Sequence, residues 1–101
     1  MMYRHGDVLI LDPKPLPEAA TKRLSNVVAE GEATGHAHRL VGGEVWGDGE
    51  NGLMVVAGDG AKLTHEEHAT LPLPPTQQGD AYPIIIQREY DDENEWRQVA
   101  D

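Results

Sequence analysis

Short apolar segments separated by turns rich in glycine and proline run along the whole chain. Some are continuous, such as residues 8–11, which is typical of a strand buried on both faces, and others alternate apolar with polar residues. The longest segment, 82–90, is rich in β-branched residues and is predicted to be a central strand. Strands are predicted over residues 6–12, 24–29, 36–41, 44–46, 53–57, 61–65, 69–73, 82–90 and 96–99, with at most one helical turn over 18–23.

This distribution of strands predicts an all-β fold. The sequence has neither a heptad pattern nor a long amphipathic helix, and many short strands joined by glycine and proline turns are typical of barrels and sandwiches. We therefore expect one domain over residues 1–101, a small barrel or roll of short antiparallel strands, of the jelly-roll or sandwich type. Pro72 favours an edge position for its strand, because proline cannot donate to a neighbour.

Two glycine-containing turns, at 42–43 and 58–60, lie between pairs of predicted strands. A Gly-Gly pair between apolar segments is a hairpin signal, because the tight turns that join paired strands need positive φ. Both turns are therefore predicted to close hairpins. The expected partners across them are Leu40 with Val45 and Val55 with Leu63.

Strand alternation predicts where the histidines point. Side chains two apart share a face, so His36, His38 and Leu40 lie together, as do Leu63 and His65. If these are the core-facing sides, three imidazoles point into one interior. A shift of one residue in register would reverse the result.

Four of the five histidines fall in two short clusters, His36-Ala37-His38 and His65-Glu66-Glu67-His68. Metal sites use such spacings because both imidazoles of a pair can reach one point. Cysteine is absent, so any ligands are nitrogen or oxygen atoms. We predict a divalent transition metal, with zinc, nickel, iron and manganese all open. The predicted ligands are His36, His38, His65 and His68, the last of which requires a bulge or turn at 66–67.

Other polar residues have supporting roles in this hypothesis. If the protein is an enzyme, Arg88 and Tyr90 could orient a small anionic or polar substrate, with Glu67 as a further catalytic candidate, although a structural ion pair is an alternative for Arg88. His5 is isolated in the sequence and is predicted to be structural or at the surface. The carboxylates that could bind the metal or fix a histidine tautomer are Glu32, Glu66 and Glu67.

The chain carries 18 acidic and 8 basic residues, a net charge of −10. Direct nucleic-acid binding is not expected, because phosphate contacts need clustered lysine and arginine. No segment resembles a signal peptide or a membrane span, so a cytoplasmic location is expected. The competing hypothesis is a non-catalytic acidic module that binds a protein partner, or mimics nucleic acid, and has a structural histidine cluster. Homodimerisation through a strand edge is also left open.

Four segments occur in order along the chain: 5–7 (His-Gly-Asp), 31–38, 64–68 and 87–90. Together they resemble a group of small uncharacterised proteins from bacterial and phage genomes, a resemblance that implies no activity. A second series is Gly31, His36, His38, Glu44 and Gly52. It loosely resembles the first motif of the cupin superfamily, which places a glycine, a His-x-His pair, a glutamate and a glycine in that order, and it implies a cupin-like architecture. The second cupin motif, Pro-x-Gly-x-x-His, is not present.

Overall fold

Two antiparallel sheets and a separate hairpin form the fold, confirming the predicted all-β class. The computed structural model describes residues 2–30, 35–47, 52–86, 88–90 and 96–98. Within these residues the sheets form a sandwich and do not close into a barrel. The prediction of one domain over 1–101 stays a prediction. The strands of the described parts are β1 Tyr3–His5, β2 Val8–Ile10, β3 Lys14–Pro15, β4 Thr21–Lys22, β5 Val27–Glu30, β6 Ala37–Val41, β7 Glu44–Gly47, β8 Leu53–Val56, β9 Ala61–Thr64, β10 Leu71–Leu73, β11 Asp80–Ile86, β12 Arg88–Tyr90 and β13 Trp96–Gln98.

The first sheet has the order β1-β2-β11-β8-β7-β4, with β3 also paired to β11. β11 lies at its centre, as its β-branched sequence predicts, with Ile84 between Ile10 of β2 and Leu53 of β8. The second sheet has the order β10-β9-β6-β5. β10, which contains the exposed Pro72, is at its edge, as predicted.

The prediction that the glycine turns at 42–43 and 58–60 close hairpins is wrong. β6 pairs with β5 and β9, whereas β7 pairs with β4 and β8, so the turn at 42–43 carries the chain from the second sheet to the first. The turn at 58–60 returns it, because β8 lies in the first sheet and β9 in the second. Each of these strands has apolar side chains directed at the core. Because consecutive strands lie in opposite sheets, these side chains pack against each other across the core and not between neighbouring strands of one sheet. The observed pairs are Leu40 with Leu63, Val45 with Val55, and Val55 with Tyr82.

Three smaller predictions also need correction. The first strand, predicted over 6–12, is shorter and spans Val8–Ile10. Gly6, at φ +62°, and Asp7 form the turn that joins it to β1, a strand that was not predicted. The second strand begins at Val27, and Leu24 is fully exposed. Instead of a helical turn after Pro17 there is a tight turn closed by a 3.1 Å hydrogen bond from the amide of Ala20, followed by β4.

The core between the sheets is aliphatic. Among its completely buried side chains are Val8, Ile10, Val55 and Leu63. At the other end of the chain, the backbones of β12 and β13 pair as a hairpin, as predicted for 96–99. Among the residues that the structure describes, no helix has the length and apolar character needed to cross a bilayer.

Candidate metal centre

Three separate chain segments bring all five histidines together. His5 comes from β1, His36 and His38 from the start of β6, and His65 and His68 from the segment after β9. Neighbouring rings have centroids between 4.4 and 6.3 Å apart. The two histidine motifs therefore come together as predicted, although of His36, His38 and His65 only His38 is completely buried. His5, predicted to be structural or at the surface, also joins the cluster.

Strand register explains why the two histidine motifs meet. β6 and β9 are antiparallel, with Arg39 opposite Thr64, so the beginning of β6 lies beside the end of β9. His38 then faces the core, completely buried, and its ring centroid is 4.4 Å from that of His65. The β1–β2 turn of the other sheet adds His5 and Asp7, both buried, from the opposite side.

A chain of hydrogen bonds joins the most buried members of the cluster. The carbonyl of Ala69 lies 2.8 Å from Nε2 of His5, and Nδ1 of His5 lies 2.9 Å from Nδ1 of His38. Nε2 of His38 in turn lies 3.0 Å from Oδ1 of Asp7. Each imidazole thus directs one nitrogen at an oxygen acceptor and the other at its neighbouring ring.

These contacts require more protons than neutral rings carry. A carbonyl only accepts, so Nε2 of His5 must donate to Ala69, and the remaining two contacts need one proton each. Three protons are needed, whereas two neutral imidazoles and an ionised Asp7 hold two. The arrangement is therefore complete only with one additional positive charge, either a proton or a cation.

His68 lies over this chain of contacts. Its ring is stacked on that of His38 at 5.8 Å, and its centroid is 5.6 Å from that of His5. Its Nε2 is buried, and no hydrogen-bonding group of the described residues reaches that atom. An unsatisfied buried polar atom costs about 1–3 kcal/mol, so this position favours a ligand.

Gly6 makes room for the His68 ring. A β-carbon at this position would lie 2.5 Å from Nε2 of His68 and 3.1 Å from Cε1 of His38. The positive φ of Gly6 is also a conformation that glycine adopts without strain. The turn residue therefore allows both the β1–β2 hairpin and the approach of His68.

A second, more exposed group adjoins the first. Ligand atoms of His36, His65 and Glu66 all lie within 4.8 Å of one another, and Oε1 of Glu67 is 3.4 Å from Nδ1 of His36. His65 accepts a 3.0 Å hydrogen bond at Nδ1 from the amide of Glu67. The centroid of the His65 ring also lies 4.5 Å from that of His68, so His65 connects this exposed group to the buried group of His5, His38 and His68.

The surroundings of Glu66 favour its ionised form, whereas those of His5 favour its neutral form. The amide of Ala37 donates to Glu66 at 3.0 Å and, together with Glu66's own amide and Arg39, lowers the pKa of that carboxyl to about 2. Glu66 is therefore an anion. Burial, reinforced by the neighbouring histidines, lowers the pKa of His5, although the hydrogen bond to Ala69 opposes this. His5 is thus favoured as a neutral ring, the form that binds metals.

The structure describes the other predicted site residues to different extents. Glu67 is exposed beside His36, and Glu32 lies outside the described residues. Arg88 and Tyr90 are described only as backbone in β12, paired with Gln98 and Trp96, so their predicted roles stay predictions. The roles of His5 and Asp7 were missed. The signal for them was the His-Gly-Asp sequence itself, because a glycine between two polar residues can turn the chain and present both to one site.

One family model matches residues 4–87, described as a domain of unknown function, DUF8820. The chain belongs to the DUF8820 family. No curated protein and no solved structure matches it. The DUF8820 match includes all five histidines and Asp7, and it ends before Arg88. Neither the cupin likeness nor a phage origin follows from this match.

Proposed function

We propose that this DUF8820 protein binds a divalent transition metal through Nδ1 of His5, Nδ1 of His38 and Nε2 of His68. The observation that supports this most strongly is the 2.9 Å approach of two Nδ1 atoms whose partner nitrogens are both held by oxygen acceptors. In metal sites, the nitrogen that does not bind the metal commonly donates to a carbonyl or a carboxylate. His5 and His38 each have one such acceptor.

A cation between the rings resolves the proton count. His5 then donates to Ala69, His38 donates to Asp7, and both Nδ1 lone pairs bind the metal, so two neutral imidazoles suffice. Two imidazoles on a tetrahedral zinc ion have donor atoms about 3.3 Å apart, from bonds of about 2.0–2.1 Å. The 2.9 Å separation therefore needs to widen by only a few tenths of an ångström.

The donor set favours a transition metal over calcium or magnesium. Imidazole nitrogens suit zinc, nickel, copper and iron, whereas calcium and magnesium prefer oxygen atoms. Nε2 of His68, buried and without a hydrogen bond from the described residues, is the third ligand in this proposal, and its ring must shift to reach the ion. Three imidazoles leave one position for water or a substrate, as in catalytic zinc sites.

Metal analysis tests the proposal. Full-length protein loaded with zinc chloride and dialysed should retain at least one equivalent by elemental analysis. Removal of the metal with chelator should lower the melting temperature, because a ligand that binds only the folded state stabilises it. His68→Ala should lose the tightly bound zinc. The matched control is Thr76→Val, which removes the acceptor of the Ala57 and Gly58 amides but should keep zinc.

The competing hypothesis makes the opposite prediction. An acidic interaction module with a hydrogen-bonded histidine cluster needs no metal, so chelator would leave its unfolding unchanged. Folded wild-type protein that retains no zinc, and whose melting temperature does not respond to zinc or chelator, would refute the proposal.

A further inference from the structure

The histidine centre contains more donors than one ion can use. A tetrahedral ion takes four ligands. Five imidazoles lie together here, along with the carboxylates of Asp7, Glu66 and Glu67. Since the buried ligands proposed above are His5, His38 and His68, a complete second set remains.

We propose that the centre is dinuclear, with a second divalent transition ion bound by His36, His65 and Glu66. This inference rests on the proposed function, because it adds an outer ion beside the inner one. Ligand atoms of the three residues lie within 4.8 Å of one another, so small side-chain rotations bring them to coordination distance. Glu66 remains able to coordinate while it holds Ala37 and Arg39, because each carboxylate oxygen has two acceptor positions.

The two ions occupy adjacent positions. The His65 ring of the outer set is 4.4 Å from His38 and 4.5 Å from His68 of the inner set. Ions about 3.5–4 Å apart act together on one substrate oxygen or water in many two-metal enzymes. The outer position also opens to solvent through a hollow of about 260 Å³, lined by Arg39, Thr64, His65 and Glu66. The inner ligand His38 is completely buried.

Binding at the outer position has a local consequence that can be measured. His65 now accepts a hydrogen bond at Nδ1 from the amide of Glu67. If the metal binds Nδ1, that lone pair is used, and if it binds Nε2, the ring proton moves to Nδ1. Either way the Glu67 amide loses this acceptor, so its NMR resonance shifts and its hydrogen exchange accelerates when the outer ion binds.

Zinc stoichiometry of the full chain tests the inference. Wild-type protein titrated with zinc chloride should bind two equivalents, and chelator should remove them in two phases, the exposed outer ion first. His36→Ala and His36→Gln should each bind one equivalent and lack the fast phase. Lys62→Ala, an exposed change on β9, is the control and should bind two. Circular dichroism establishes that each variant is folded.

The outcomes separate this inference from the proposed function. One equivalent in the wild type that the His36 variants also bind would overturn the second ion and leave the first site intact. One equivalent that the His36 variants lose would refute the proposed inner site. Two equivalents in both the wild type and the folded His36 variants would overturn the assignment of His36. A wild-type protein that binds no zinc would refute the proposed function and the inference together.

Discussion

Replacing Gly6 by alanine should separate metal binding from folding. The added methyl carbon would lie 2.5 Å from Nε2 of His68, whereas carbon and nitrogen atoms in ordinary contact are about 3.5–4.0 Å apart. The ring must therefore move by about 1 Å. Metal–ligand distances tolerate only about 0.2 Å, so we expect the methyl group to weaken binding of the metal by the displaced His68.

Backbone strain must be separated from this displacement. Gly6 has φ +62°, and alanine in the left-handed region costs about 1–2 kcal/mol. Gly58 has nearly the same conformation, φ +55°, but a β-carbon there would contact nothing within 4 Å. Gly58→Ala is therefore the matched control for strain without displacement.

Calorimetric titration with zinc and chemical denaturation of the metal-free proteins provide the two measurements. Backbone strain should cost both variants about 1–2 kcal/mol of unfolding free energy, and Gly6→Ala should lose more because it also displaces the His68 ring. Only Gly6→Ala should lose zinc affinity, by at least about tenfold, the lower end of the loss seen when groups around a metal are disturbed. Equal zinc affinity in the two variants would show that His68 does not bind the metal.

Three further predictions follow from other contacts. Asp7→Asn keeps an acceptor for His38 but removes its charge, so calorimetry should show zinc affinity falling by about 10–100-fold, and an unchanged affinity would contradict the orienting role of Asp7. The pKa of Glu66 is lowered to about 2, so its ionised carboxylate stabilises the fold fully above pH 4.5, and this stability is lost as the pH falls towards 2. The unfolding free energy of Glu66→Gln should therefore depend less steeply on pH between 4.5 and 2 than that of the wild type. Identical slopes for the two proteins would refute this. Ile10→Ala, in the core, should lower the unfolding free energy by about 2–5 kcal/mol in denaturant titrations while zinc bound per folded chain stays unchanged.

Local patterns predicted the strands and the convergence of the rings. The alternation that put His36, His38 and Leu40 on one face is a property of any strand. The prediction from it therefore did not depend on which strands pair, and the wrong strand partners did not affect it. Leu40 does face the core, but it pairs with Leu63 in the same sheet, whereas Val45 lies in the other. The β-branched residues of β11 likewise indicated its central place.

The assignment of strands to the two sheets and the position of His5 depend on contacts between residues far apart in the sequence. A glycine turn between apolar strands fits both a hairpin and a corner of a sandwich, and sequence spacing does not distinguish them. His5 had no neighbouring histidine, and only the packing of the β1–β2 turn against β6 brings it to within 2.9 Å of His38. The His-Gly-Asp sequence indicates a polar turn, but it does not show which strand that turn packs against.

X-ray diffraction from zinc-soaked crystals, measured across the zinc absorption edge, tests the central claim most directly. We predict an anomalous peak about 2.0–2.1 Å from Nδ1 of His5, Nδ1 of His38 and Nε2 of His68. Crystals without a peak there, in which the two Nδ1 atoms still share a hydrogen bond, would contradict it.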